Sequence, residues 1–126
     1  MRITQNQIVN GIMEYIQQEV LPQMNGDKAV QIVLSVAVNA IKANKKMVDA
    51  IFSSDLVKTI LQDDGAGTYE IDGIMDAIYK SVEKYGYFPV TVPQIPLISP
   101  KVIEIKLNGD DVAALRRKIE NAEDSM

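Results

Sequence analysis

Apolar residues Ile8, Ile12, Tyr15, Ile16 and Val20 recur every three or four positions, the repeat that lines one face of a helix. Upstream, Thr4-Gln5-Asn6-Gln7 has the form of a capping box, in which the Thr hydroxyl and the Gln amide satisfy free N–H groups at a helix start. Pro22 marks the end, because its ring fixes φ and removes a donor. A first helix over residues 5–21 follows. Residues 23–26 then read as a turn, with Asp27 as the cap of the next element.

Residues 27–44 carry two periodicities at once. Val30, Ile32, Leu34, Val36, Val38 and Ala40 alternate as a strand would, whereas Gln31, Ser35, Asn39, Lys42 and Lys46 are spaced by four, four, three and four. Only a helix places that second set on one face, so the spacing predicts a helix. Its polar stripe is thin, and residues 29–43 are therefore expected to be the most buried helix, at the centre of the core.

Two shorter helical stretches are read over 45–52 and 55–61, separated by the cap-forming Ser53-Ser54-Asp55, and 63–67 reads as a loop. Thr68 is placed to cap a further helix whose stripe is Ile71, Ile74, Met75, Ile78, Val82 and Tyr85, with Gly86 as its terminator. Beyond it, Pro89, Pro93, Pro96 and Pro100 exclude helix and favour an extended, apolar arm. Residues 101–107 alternate in the strand manner, Ile103, Ile105 and Leu107 against Glu104 and Lys106. Asn108-Gly109 makes a turn, Asp110 is placed to cap, and a last helix carries Val112, Leu115 and Ile119 into a polar tail from Glu120.

The fold class predicted is mostly α: a small helical bundle with a proline-rich extended arm, one short β-strand or hairpin, and a short C-terminal helix. It is organised as one domain, with a helical core over 1–86, arm and strand over 87–107, and C-terminal helix and tail over 108–126. Residues 1–86 are expected to keep their helical structure when 87–126 are removed. A partial echo links 9–16 to 71–78, where Gly11 and Gly73 occupy equivalent places inside helices. A helical glycine costs about 1 kcal/mol against alanine, so the pair is expected to mark two helices packed closely on each other, near Ile12 and Ile74.

Composition changes this picture mainly by exclusion. The chain has 126 residues, 47% of them hydrophobic and 24% charged, ordinary values for one globular domain. Trp is absent and aromatic content is 6%, so the core is expected to be aliphatic. With no His and no Cys, no Ser-His-Asp or Cys-His nucleophile can be built. Nor can thiolate or imidazole ligate zinc, a disulfide form, or an imidazole sense pH. The formal net charge of -4 and scattered cations argue against nucleic acid. Arg116-Arg117-Lys118 is the exception, but its side chains diverge on a helix and lie beside Glu120, Glu123 and Asp124. No apolar stretch approaches the ~20 residues of a membrane span, and the first residues lack a signal-type apolar core, so a cytoplasmic protein is expected.

Motif chemistry is sought and not found. Gly65-Ala66-Gly67 has Glu70 where a dinucleotide fingerprint needs a third glycine, no Gly-Lys-Ser/Thr tripeptide follows, and a calcium loop from Asp63 would close on Ile74 rather than Glu. No catalytic, cofactor-binding or metal-ligating residue is nominated, and no cofactor or small-molecule partner is expected. Tyr85-Gly86-Tyr87-Phe88 reads as an aromatic plug anchoring the arm.

The functional expectation is a non-catalytic protein–protein interaction or assembly module, a small subunit of a larger complex such as a phage-like particle, whose partner is protein, chiefly itself as a homo-oligomer. Its interaction residues are expected in the arm: Tyr87, Phe88, Val90, Val92, Ile95, Leu97, Ile98, Ile103 and Ile105. The alternative is a small enzyme using carboxylates or an oxygen-ligated metal. Residues 87–107 are expected to form a proline-looped hairpin on the helices or to pair with a second copy, the oligomer being favoured because the arm is long and apolar.

Overall fold

A computed structural model of the protein describes residues 1–24, 28, 32, 35, 39, 56, 68–92 and 101–123. Most of the helix expected over 29–43, the stretches over 45–52 and 55–61 apart from Leu56, the loop over 63–67 and arm residues Ile95, Leu97 and Ile98 lie outside the described residues. Mostly helical structure with a short strand hairpin is what the chain adopts.

Strand β1, Arg2–Ile3, pairs antiparallel with β2, Tyr69–Glu70, in the register Arg2 to Glu70 and Ile3 to Tyr69. The ladder is extended by Ile71 N–H donating to the Met1 carbonyl (3.1 Å). Arg2 adds a donor to the Thr68 carbonyl (2.7 Å) and another to its hydroxyl (3.0 Å). Sequence periodicity carries no sign of this ladder, since two residues have no period and their partners lie 68 and 66 positions away.

Helix α1, Gln5–Tyr15, begins as its sequence dictates: Thr4 is extended and its hydroxyl accepts from Gln7 N–H (3.2 Å). A π-helical turn, Ile16–Val20, and a 3-10 turn, Leu21–Met24, complete the expected first helix. Pro22 explains the change of winding, because it offers no N–H and its ring crowds the carbonyl four residues back. The predicted stripe is buried through Ile16, and Val9 and Met13 are buried too, so α1 is covered on two sides.

Of the central helix, Lys28, Ile32, Ser35 and Asn39 are helical, which favours the polar-stripe argument over the strand. The expected burial fails at Ile32, which is 64% exposed. A helix turns about 100° per residue, which sets Ile32 within about 60° of Ser35 and so beside the polar stripe.

Helix α2, Ile71–Tyr85, buries Ile71, Ile74, Met75, Ala77 and Ile78. It follows β2 directly, so Glu70 and not Thr68 is its N-cap. Gly86 terminates it as predicted, at φ 79°, with its N–H on the Val82 carbonyl (2.7 Å), a left-handed conformation that glycine adopts without strain.

Strands β3, Phe88–Val92, and β4, Lys101–Ile105, form an antiparallel hairpin with Phe88 opposite Ile105 and Val90 opposite Ile103. The arm therefore pairs within its own chain, and the hairpin packs on α2. Phe88, Val90 and Ile105 face the core, while Val102 and Glu104 point outward.

Helix α3, Gly109–Asn121, is capped by Asn108, not Asp110. The Asn108 side chain accepts from Asp111 N–H (2.9 Å) and the Asp111 carboxylate accepts from Asn108 N–H (3.0 Å), a complete capping box. Val112, Leu115 and Ile119 are buried against α1. Among the described residues no helix is long and apolar enough to cross a membrane.

The two glycines separate. A Cβ on Gly11 would lie 2.4 Å from the Ile119 Cα, so the close approach is between α1 and α3, whereas Gly73 faces open space. Gly11→Ala is expected to lower stability by about 1–3 kcal/mol, because backbone and not a flexible side chain must move. Gly73→Ala is expected to raise it by up to about 1 kcal/mol. Urea unfolding followed by circular dichroism checks both, and equal effects of the two would show that the α1–α3 contact is not the tight one.

Candidate functional site

The arm residues that are described do not form one surface. Phe88, Val90 and Ile105 are core residues of this chain. Val92 and Ile103 contribute strand backbone to the hairpin. Tyr87 is half-buried, its ring centroid 6.2 Å from that of Tyr85, which is the anchoring plug read from the sequence.

The basic triplet is held largely by acids. Arg116 donates to Glu120 and to Asp72, both at 2.7 Å, which holds its guanidinium pKa above the ordinary value, and Lys118 contacts Gln18 and lies 3.8 Å from Glu14. These bonds tie α3 to α2 and to the first helix. They leave little of a phosphate-binding stripe.

A cleft of about 260 Å³ opens where three elements end. The first helix brings Tyr15 from its last α-turn and Glu19, Val20 and Gln23 from the turns that Pro22 reshapes. The end of β4 brings Glu104 and Ile105, and the residue after it is Lys106. From the first turn of α3 comes Asp111, whose position the Asn108 capping box fixes.

Tyr15 is the buried member, 6% exposed, and its hydroxyl makes no hydrogen bond to a described residue. Burial, then the charge of Asp111, then that of Glu19 push its phenol from 10.0 up to about 12. The cleft thus combines a neutral phenol, two apolar walls in Val20 and Ile105, and three carboxylates against the one ammonium of Lys106.

That arrangement limits its chemistry. Glu19 and Glu104 are exposed and Asp111 is half-buried, so no carboxylate here is desolvated in the way a general acid at neutral pH requires. Among the described residues no charged side chain is buried, and no group of three or more acidic residues is arranged to hold a metal ion. What the cleft can do is attract and orient positive charge.

Sequence reading assigned Tyr15 to the apolar stripe and left its hydroxyl unused. One local signal existed, since Glu19 lies one helical turn beyond Tyr15. Nothing local connects either residue to Glu104 or Asp111.

The raised phenol makes stability depend on alkaline pH. Below pH 10.0 both folded and unfolded chains keep this proton, and between 10.0 and about 12 only the folded chain does, so the stabilisation is lost as pH rises through that window. Tyr15→Phe is expected to flatten the fall of stability there and to remove a phenolate absorbance transition near pH 12. An unchanged alkaline profile in the variant would show that Tyr15 does not carry it.

No protein-family model, no curated protein and no solved structure matches this chain, so the cleft and the surface around it are read from their own chemistry.

Proposed function

We propose that this chain is a non-catalytic protein–protein interaction module that assembles with itself. The observation that supports the reading best is the open edge of β4, which among the described residues has a ladder partner on one side only, β3. Backbone N–H and C=O groups on such an edge are a template for another strand. Val102, in the middle of β4, is 51% exposed, an apolar side chain beside that edge. Strand addition draws its affinity from main-chain bonds and its selectivity from alternate side chains, which suits a short hairpin held rigid on α2.

The arm's part in this reading differs from the sequence expectation. Among the described residues its inward side chains stabilise this chain, and the outward face and edge are open to a partner. Truncation at residue 87 is accordingly a poor probe, since Phe88, Val90, Ile105, Val112, Leu115 and Ile119 all belong to the core and would go with it.

Analytical ultracentrifugation across the micromolar range tests the proposal with Val102→Glu beside the unaltered chain. The unaltered chain is expected to sediment as an oligomer. Val102→Glu should weaken association by about 10-fold or more, the effect of placing a charge in a desolvated contact, with unchanged circular dichroism. A monomer throughout, or an oligomer indifferent to the substitution, would defeat the edge as the interface.

A further inference from the structure

We propose that the cleft between the π-helical turn, the end of β4 and the start of α3 binds a guanidinium group carried on a short aliphatic stem. The inference concerns a different face from the β4 edge and stands whether or not that edge pairs.

Three observations converge on this ligand. The first is uncompensated charge: Glu19, Glu104 and Asp111 line the cleft, and none of them is in an ion pair with a described residue. Elsewhere acids find partners, as Asp72 and Glu120 do with Arg116, Asp76 with Lys80 and Glu70 with Arg2. Lys106 is the one cation in the cleft's lining, which leaves a formal excess of two negative charges. The second is Tyr15, nine-tenths buried, lining the cleft with a hydroxyl that has no protein partner among the described residues. No buried side-chain oxygen is sealed away unpaired, so this hydroxyl opens on the cleft. The third is the apolar pair Val20 and Ile105, which offers contact for methylenes.

Size and chemistry then select among cations. At about 260 Å³ the cleft is below the roughly 300–1,000 Å³ of drug-sized ligand sites and suits a single side-chain-sized group. A metal ion is disfavoured because the carboxylates are not gathered into a ligand set. An anion is disfavoured by the charge, and the first turn of α3 already holds Asp110 and Asp111 against its positive end. Guanidinium is favoured over ammonium because its planar fork serves several acceptors at once, is weakly hydrated, and stacks on a phenol face. Such a group is borne by a free arginine-like metabolite or by an arginine of another polypeptide.

Amide NMR of the full chain separates these outcomes, with N-acetyl-arginine amide as the probe and N-acetyl-norleucine amide as its neutral counterpart. The arginine probe is expected to cause saturable shifts at Tyr15, Glu19, Glu104 and Asp111, and the norleucine probe none. Glu19 and Glu104 are exposed and hold no described contact, so Glu19→Gln/Glu104→Gln should leave the fold intact and weaken binding by about 10-fold or more. Tyr15→Phe should weaken it about 3-fold or more, the loss of one neutral hydrogen bond. A peptide with arginine between glycines identifies the source: tighter binding than the amide assigns the site to a polypeptide, looser binding to a small molecule, and either supports recognition of the head group. Shifts that never saturate, equal binding of the norleucine probe, or undiminished binding by the double variant would each overturn the proposal.

Discussion

The contact of α1 with α3 is the constraint on which the rest depends, and Gly11 sets its distance. With no Cβ at that position the two backbones approach until the Ile119 Cα occupies the space a side chain would need. Polar groups then lock the register. Gln7 donates its amide to the carbonyls of Ile119 and Glu120, both at 3.2 Å, and Asn10 donates to the Glu123 carbonyl (2.8 Å). The carbonyls of Ile119 and Glu120 are among the last of α3, where intrahelical donors run out apart from Ala122 N–H on Ile119 (3.3 Å), so the docking gives them partners other than water. The contact joins residues more than a hundred positions apart. Closure entropy grows only logarithmically with loop length, and a buried face that includes Ile8, Ile12, Leu115 and Ile119 can offset it.

Gln7 beside Ile119 places the far end of the first helix near the start of α3, which is where Tyr15 and Asp111 share the cleft. Two further local devices finish that geometry: Pro22 forces the winding that carries Glu19 and Val20, and the Asn108 capping box holds Asp111. The two short sheets act similarly. Neither ladder would be stable alone, and each is held by side chains sunk in the common core, Ile3 for β1 and Phe88, Val90 and Ile105 for the hairpin.

Legibility in the sequence followed the range of the interaction concerned. Helix α1, helix α2 with its Gly86 terminator, the strand at 101–105 and α3 rest on periodicity and capping within a few residues and are readable, whereas the partner of that strand is not, and the sequence favours a second copy where the structure pairs it with β3. Two caps lie two residues from where the sequence places them, at Glu70 and Asn108, because β2 and a complete capping box outcompete Thr68 and Asp110. The β1–β2 ladder, the partner of Gly11 and the exposure of Gly73 depend on which distant element arrives, and periodicity is blind to that. Ile32 is exposed for another reason: a thin polar stripe implies burial over most of a helix, but the helical angle sets Ile32 beside Ser35, at the margin of that stripe. The cleft was illegible for the same reason as the ladder, since Tyr15, Glu104 and Asp111 meet only in three dimensions.

The same long-range assembly explains why the carboxylates of the cleft remain uncompensated while other acids do not. Arg116 and Lys118 leave α3 on sides that meet Asp72, Glu120 and Glu14, so neither is spent on Asp111, and Lys106 is the one cation in the cleft's lining. Glu19 and Glu104 stay hydrated, and in water such charges repel one another only weakly, which is why the fold tolerates them together. An entering guanidinium changes that balance: it is itself weakly hydrated, it displaces water from the carboxylates, and each contact strengthens as the local dielectric falls. Repulsion that costs little in the open cleft thus becomes attraction for one kind of group, and the buried phenol of Tyr15, uncharged at neutral pH, supplies orientation without adding to the charge.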